Sequence, residues 1–513
     1  MCTSSPRSRR DGWPRAWVRG GRCSSAATAA WWWAPRFRNW WSVPTPWTRT
    51  AGCSGSRRPW LPRSRCGRRK RAPCCAYGSE RSGSAARGRT GFRSYRRRGG
   101  SREAGDGGRG ELGSGVLGSA GPPAAGRAEP RQLPALRRVA GGGVLAVIER
   151  VRAAVATERL RTELRTFPLP EVGPDEGLLR VEACGLCGTD WEYYTRQRGA
   201  HLGPMILGHE IVGTILAVGE EARRRWKVAP GDRVAVEEFL PCGECAFCRT
   251  GRPALCDATD SRSTRPFLRY GATPVEVAPA LWGGFSEVLY LHPRALVHRV
   301  PDGLSPDLAT LFVPLSNGIR WVRRDGGLRP RSTVVVIGPG AHGLGCVAAA
   351  VEAGAAQVFA LGRERSPRLE AAQALGAVPL EADREDVVGA VRDATQGRMA
   401  DLVVDLAPSG AEGLATTLAL AGKGAVVLFA ATKHGQLAAD AFSEPIVRKG
   451  LVVKGVRGRD FEAVDEALAV LASGRLPLQR LRTHRFGLDE VDQALRVQGE
   501  KVDPSAIHVA VVP

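Results

Sequence analysis

The alternation of apolar and polar residues changes twice along this chain of 513 residues. Before about Val144, no period of two or 3.6 residues is sustained. Short β-branched runs then follow at residues 152–155, 178–183 and 211–218, separated by Pro, Gly and Asp. These runs predict a β-rich, barrel-like domain over residues 151–320.

From residue 321 onward, apolar runs alternate with helical segments. Strands are predicted at 333–337, 358–361, 402–406 and 425–430. The segments between them contain small residues at helical spacing. This order predicts a doubly wound α/β domain with a parallel sheet over residues 321–445.

Charge separates the first 150 residues from the rest. Residues 1–150 contain 31 Lys and Arg but only 7 Asp and Glu, so they account for the whole formal charge of +23. A nucleic-acid-binding arm, a disordered extension and a segment outside the natural product all stay open. Because Arg far exceeds Lys, as in translated GC-rich DNA, we hypothesise that the product starts at Val151. The near-neutral remainder predicts no nucleic-acid partner.

The chain has no run of 18 apolar residues and no apolar stretch at its N-terminus. We therefore expect neither a membrane span nor a secretory signal. Most cysteines after residue 150 stand at metal-ligand spacing, which fits a reducing cytoplasm.

Four cysteines lie close together in a Gly- and Pro-containing segment: Cys242, Cys245, Cys248 and Cys256. Neighbours this close in sequence rarely form disulfides with each other. Four thiolates satisfy the tetrahedral preference of zinc and leave no position for a substrate. The segment therefore predicts a structural zinc site.

A second group of donors precedes these cysteines. Residues 184–190 read Cys-Gly-Leu-Cys-Gly-Thr-Asp, and residues 208–210 read Gly-His-Glu. Together they offer a thiolate, an imidazole and a carboxylate, the donor types of a catalytic zinc.

A glycine-rich motif follows the predicted strand 333–337. Gly338, Gly340 and Gly343 form G-x-G-x-x-G between this strand and a helix through Glu352. Glycines here let the backbone approach a dinucleotide pyrophosphate at the helix N-terminus.

In this order, the motifs resemble the zinc-dependent medium-chain dehydrogenase/reductase family of alcohol, polyol and threonine dehydrogenases. The resemblance covers about 360 residues from Val151. It implies a GroES-like β-rich catalytic domain, a Rossmann domain, and a segment 446–513 that returns to the catalytic domain.

The resemblance also implies roles. Cys187 and His209 would ligate a catalytic zinc, with Glu210 as a direct or water-exchanged ligand. Thr189 would hydrogen-bond the substrate hydroxyl and pass its proton outward, and Asp190 would orient His209. The zinc would lower the pKa of the alcohol, and hydride would pass to a nicotinamide.

Two positions depart from the family pattern. Val313 stands where relatives usually have Cys, Glu or Asp, and it has no donor atom. Glu192 stands where many relatives have a histidine as the outer base of the proton relay. Cys184 is expected to pack without ligating. Three aromatic residues are expected either to line a pocket or simply to pack: Trp191, Tyr193 and Trp282.

The second strand of the cofactor domain ends at Gly362, where NAD-binding relatives have Asp or Glu. Arg363 follows, with Arg365 and Arg368 beyond it. A guanidinium suits a 2′-phosphate, which favours NADP. Glu364 could pair with Arg363, and an exposed helix start is the alternative interpretation.

We therefore expect an oxidoreductase with one structural and one catalytic zinc. It would transfer hydride between an alcohol or polyol, or the matching carbonyl compound, and NAD(P). A homodimer or homotetramer is expected. The alternatives are a double-bond reductase on the same fold and a non-catalytic or zinc-impaired relative.

Overall fold

The computed structural model describes residues 149–263, 265–433, 438–500 and 502–513, together with two short strands, β1 (Arg137–Arg138) and β2 (Val144–Leu145). The hypotheses about residues 1–150 fall almost entirely outside these residues. The chain divides into two units, and the second, Pro122–Pro513, contains all the described helices and strands. In the described part, no helix is long and apolar enough to span a membrane.

The first half of this unit is mostly strands. Its elements are β3 (Arg150–Glu158), β4 (Arg161–Pro168), β5 (Gly177–Gly185), α1 (Gly188–Tyr194), β6 (Met205–Ile206), β7 (Glu210–Val218), α2 (Glu220–Trp226), β8 (Arg233–Val236), α3 (Ala246–Arg249), β9 (Val288–Leu291) and β10 (Val297–Arg299).

Helices and strands alternate in the second half. Its elements are α4 (Pro306–Ala309), α5 (Phe312–Ile319), a π-helical segment (Arg320–Asp325), β11 (Thr333–Ile337), α6 (Ala341–Glu352), β12 (Gln357–Gly362), α7 (Pro367–Ala374), β13 (Val378–Glu381), α8 (Val387–Ala394), β14 (Ala400–Asp405), α9 (Ala411–Leu420), β15 (Ala421–Phe429), α10 (Ala439–Lys449), β16 (Val452–Gly455), α11 (Phe461–Ser473), β17 (Arg482–Gly487), α12 (Val491–Gly499) and β18 (His508–Val512).

Two sheets form the β-rich part. A seven-stranded sheet has the order β10-β8-β7-β5-β18-β17, with β9 also paired to β5, and a three-stranded sheet has the order β4-β3-β6. Pairing is antiparallel except between β17 and β18. Leu179, Ile211 and Phe285 lie in the fully buried core of this part. The predicted β-rich domain is confirmed.

A six-stranded parallel sheet forms the second part, in the order β13-β12-β11-β14-β15-β16. Its central strand β11 is buried along its whole length. Val334 and Val336 pack in one apolar cluster, whereas Val335 and Ile337 pack in another. Because side chains alternate along a strand, both faces of the sheet are covered, and the predicted doubly wound sheet is confirmed.

Helices α5 and α6 approach each other backbone to backbone. A Cβ at Gly318 would collide with the carbonyl of Gly345, and a Cβ at Gly345 would collide with the carbonyl of Pro314. Only glycine allows this approach, which fixes the start of α6 beside α5.

The chain returns to the first sheet at its end. Strand β16 still belongs to the parallel sheet, whereas β18 pairs with β5 through Val511 and Cys184. The domain boundaries given above stay predictions.

Candidate active site and metal centres

The four cysteines of the predicted structural site converge. Their Sγ atoms all lie within 4.8 Å of one another, with Cys245 and Cys248 at 3.5 Å and Cys242 and Cys256 at 3.6 Å. All four are free thiols. The backbone N–H groups of Cys242, Cys245 and Cys248 each donate to a neighbouring Sγ at 3.4 Å. Four sulfur atoms at this spacing can together surround one ion, and this donor set fits zinc.

Thiolate formation is favoured at one of these cysteines. The pKa of Cys242 is lowered to about 7, first by a hydrogen bond from the backbone N–H of Glu244. Because the thiolate is the metal-binding form, this residue is prepared for a metal near neutral pH.

Asp190 connects two segments that carry predicted ligands. One carboxylate oxygen accepts the backbone N–H of Cys187 at 2.9 Å. The other accepts the backbone N–H of Gly208 at 3.0 Å and lies 3.2 Å from His209 Nδ1. Asp190 is completely buried. Burial disfavours a charged His209, but the Asp190 charge and hydrogen bond outweigh this and raise the pKa of His209. A carboxylate behind an imidazole orients it and strengthens it as a metal donor.

Glu210 is held from the opposite end of the chain. It begins β7, is 1% exposed, and its Oε2 lies 2.7 Å from His508 Nε2. Gly185, its neighbour across the strand pair, leaves the necessary room, because a Cβ there would collide with the Glu210 carboxylate.

A third histidine lies near these donors. Ligand atoms of Cys187, Glu210 and His342 all lie within 4.8 Å of one another, whereas His209 is not a member of this group. His342 belongs to the glycine-rich motif, and its ring is stacked on Trp321 at 6.0 Å. Burial lowers the pKa of His342 to about 4.

The remaining predicted catalytic residues are distributed as follows. Thr189 lies in α1, with its Oγ1 3.9 Å from Cys187 Sγ. Glu192 forms an ion pair with Arg198 at 2.6 Å. Cys184 is fully buried. Thr189 is therefore next to the candidate metal donors, whereas the Glu192 carboxylate already has a cationic partner.

Two of the three aromatic residues are packed. Tyr193 donates its hydroxyl to Ser261 at 2.5 Å, and Trp282 donates its indole N–H to the carbonyl of Val277 at 2.8 Å. Both belong to the buried core. Trp191 is partly exposed. Packing therefore explains Tyr193 and Trp282 without a pocket.

The glycine-rich motif lies between β11 and α6. Gly338 has a φ of +91°, which favours glycine, and a Cβ at Gly343 would collide with the carbonyl of Gly338. A Cβ at Gly340 would meet nothing within 4 Å, so open space lies before the N-terminus of α6. A strand, a tight turn and an open helix start fit a dinucleotide pyrophosphate.

Three arginines follow β12. The Arg363 side chain is 89% exposed and lies 3.7 Å from Asp383. Arg365 pairs with Glu370 at 3.4 Å, whereas Arg368 donates to the carbonyl of Ala506. Arg363 is thus the least constrained of the three.

Comparisons with known proteins agree with this geometry. Residues 173–302 match the family described as alcohol dehydrogenase GroES-like domain, and residues 341–473 match the family described as zinc-binding dehydrogenase. A probable alcohol dehydrogenase of Mycobacterium tuberculosis is 40% identical over 368 residues, covering 71% of this chain and 98% of the relative. The chain belongs to the zinc-dependent medium-chain dehydrogenase/reductase family.

Other relatives of this dehydrogenase point the same way. Sorbitol dehydrogenase of Bacillus subtilis is 32% identical and covers 68% of this chain and 94% of its own. Among solved structures, an alcohol dehydrogenase from Thermus sp. ATN1 has 29% identity and a TM-score of 0.60, covering 70% of this chain and 99% of its own. A putative zinc-binding dehydrogenase from Sinorhizobium meliloti, bound to NADP, has 26% identity and a TM-score of 0.61, covering 71% and 99%.

The GroES-like and Rossmann architecture is confirmed. The protein is a zinc-dependent, NAD(P)-linked oxidoreductase of the alcohol dehydrogenase type. The named relatives favour this conclusion over a double-bond reductase or a non-catalytic relative.

Two histidines of this dehydrogenase have little signal in the sequence pattern. His508 stands alone in an apolar strand, and nothing near it in sequence signals its contact with Glu210. His342 occupies a variable position of the glycine motif. The signal that could have identified it is the combination of an imidazole in the glycine motif with metal donors predicted elsewhere in the chain.

Proposed function

We propose that this dehydrogenase oxidises an alcohol or polyol, or reduces the matching carbonyl compound, at a metal site built by Cys187, His209 and Glu210. The observation that carries the proposal is the convergence of Cys187 and Glu210, together with the Asp190 carboxylate that holds Cys187 and His209. When bound, zinc supplies a Lewis acid that lowers the pKa of the substrate hydroxyl.

Other residues around the site orient the metal ligand and transfer the substrate proton. Asp190 positions the His209 ring through Nδ1, which leaves Nε2 for the metal. Thr189 accepts the substrate proton at Oγ1 and passes it outward. Glu192 is the predicted outer base of this relay, and its carboxylate pairs with Arg198.

Cofactor binding is assigned to the glycine-rich motif. Gly338, Gly340 and Gly343 let the pyrophosphate approach the N-terminus of α6. Arg363 is proposed to contact a 2′-phosphate, so NADP is favoured over NAD. A second zinc, bound by the cysteines 242, 245, 248 and 256, would hold their segment in shape.

We also propose that the protein is cytoplasmic and assembles from identical subunits. All cysteines that the structure describes are unpaired, which supports a reducing cytoplasm. A homodimer or homotetramer is proposed from the family resemblance, and sedimentation equilibrium would test it.

The test is an assay of the zinc-loaded full chain with a panel of alcohols, polyols and aldehydes and both cofactors. Thr189→Val should lower kcat by about a hundredfold or more, since general acid–base groups contribute about 10²–10⁴. Thr189→Ser keeps the hydroxyl and should retain most activity. The proposal fails if no alcohol or carbonyl compound is turned over, or if Thr189→Val is as active as the parent.

A further inference from the structure

The candidate catalytic site lacks one donor that relatives usually have. Val313, in α5, is 2% exposed and offers only carbon atoms. A zinc ion bound by three protein donors keeps one open position, whereas the loss of a donor weakens the site. Where Glu210 exchanges with water or substrate, only Cys187 and His209 stay as fixed donors, and a donor from another element would complete the set of three.

His342 is within reach of that place. Its ring nitrogen, the Cys187 Sγ and a Glu210 carboxylate oxygen are within 4.8 Å of one another. Donors around one zinc ion lie about 3–4 Å apart, because Zn–N and Zn–O bonds are about 2.0–2.2 Å and Zn–S bonds about 2.3 Å. The 4.8 Å limit on the separations of the three atoms exceeds this range by about 1 Å.

The fold explains why α6 can supply this donor. Position 313 lies at the start of α5, and α5 contacts α6 directly through Gly318 and Gly345. His342 lies in the first turn of α6, three residues before Gly345. Its ring stacks on Trp321 with an interplanar angle of 19°, which limits the orientations of the imidazole.

We propose that His342 is a ligand of the catalytic metal and takes the place of the donor missing at position 313, with Glu210 as the exchangeable donor whose position water or the substrate takes. The inference rests on the proposed metal site at Cys187, His209 and Glu210. Because His342 lies between Gly340 and Gly343, the start of α6 would then contact both the metal and the cofactor pyrophosphate. Metal binding and cofactor binding would influence each other through that helix start, and the influence would be reciprocal.

The first experiment measures zinc affinity of the full chain by competition with a chromophoric chelator. His342→Gln should weaken the weaker of the two zinc sites by about tenfold or more, since even outer-shell partners contribute about 10–100-fold. The control His484→Gln replaces a histidine of β17 that contacts Thr483 and Asp503, and it should leave both zinc affinities unchanged.

Cys187→Ser distinguishes the inference from the proposed function. If Cys187→Ser retains both zinc ions at parental affinity, the proposed catalytic site itself is wrong. If Cys187→Ser loses one zinc but His342→Gln binds both as the parent does, only the role of His342 is overturned.

A second variant, His342→Cys, is expected to increase the cobalt–thiolate absorbance, and it tests the role of His342 if His342→Gln does not fold. With zinc kept in the four-cysteine site, Co²⁺ is added to the other site, and its thiolate charge-transfer absorbance is measured in the near ultraviolet. His342→Cys should raise this absorbance about twofold over the parent, because a second thiolate joins Cys187. An absorbance equal to that of the parent overturns the proposal.

Discussion

His508 Nε2 lies 2.7 Å from Glu210 Oε2, and both side chains are buried. Glu210 begins a strand near the middle of the chain, whereas His508 begins the last strand, β18. The end of the chain therefore fixes the orientation of a proposed metal ligand. This contact gives the return of the chain to the first sheet a role in the site as well as in the fold.

Replacing His508 tests this contact. In His508→Asn the shorter side chain cannot reach Glu210, so the carboxylate can rotate away from the metal. We expect zinc affinity at the catalytic site to fall by about 10–100-fold, as for other outer-shell partners. Chelator competition measures the affinity, and the thermal midpoint reports on folding. Unchanged affinity in a folded variant would show that Glu210 does not need this partner.

The four-cysteine site should stabilise the protein. Cys245→Ser should release one tightly bound zinc and lower the thermal midpoint, because metal-binding energy in a small segment is folding energy. Cys346→Ala is a suitable control, since Cys346 is a buried thiol in α6 outside any metal group found in the described residues. It should keep the parental zinc content. A stable Cys245→Ser protein with unchanged zinc content would contradict the prediction.

Local spacing explains what could be predicted from the sequence. The four cysteines lie within 15 consecutive residues, and the glycine motif directly follows a strand. Such signals need no knowledge of distant contacts. His508 and His342 carry no comparable signal, because their significance depends on strands and helices that meet only after folding. Tyr193 and Trp282 are a similar case. The sequence allowed them to line a pocket or to pack in the core, and their hydrogen bonds and burial in the folded chain favour the core.

Glu238 should make the free energy of unfolding depend on pH in the acidic range. It is buried between two arginines, with Arg269 at 3.4 Å and Arg459 in closer contact. Burial opposes its charge, but Arg459 and Arg269 outweigh this and lower its pKa from 4.5 to about 2. Because the folded pKa is the lower one, the stabilisation is complete above about pH 4.5 and is lost as the pH falls towards 2. The shift corresponds to about 3 kcal/mol as an order of magnitude.

The measurement compares the free energy of unfolding of the parent and Glu238→Gln from pH 6 to pH 2. The difference between them should shrink as the pH falls, and taking a difference removes the zinc loss that both proteins share. Glu220→Gln is the control, because Glu220 is an exposed partner of Arg223 and should contribute little. A difference that stays constant over this range would rule out the proposed role of Glu238.

The missing donor at position 313 can be restored. If His342 has taken over its role, Val313→Glu should have its largest effect in the His342→Gln background, where the site lacks both donors. We expect the double variant to recover zinc affinity by about tenfold over His342→Gln alone. Val313→Gln in the same background has a similar size without the charge and should recover less. No recovery in a folded double variant would indicate that position 313 does not face the metal.

Cofactor preference tests the proposed role of Arg363. Its exposed side chain, beside the end of β12, can meet a 2′-phosphate with a bidentate guanidinium, and Gly362 offers no carboxylate to repel that phosphate. A charge-assisted contact of this kind contributes about 1.5–3 kcal/mol, or roughly ten- to hundredfold in affinity. Arg363→Ala should therefore lower kcat/KM for NADP by about tenfold or more and leave kcat/KM for NAD nearly unchanged. Arg365→Ala, which removes a neighbouring arginine paired with Glu370, should change neither value. If the parent already prefers NAD by about tenfold, Arg363 is only solvated and the NADP assignment is wrong.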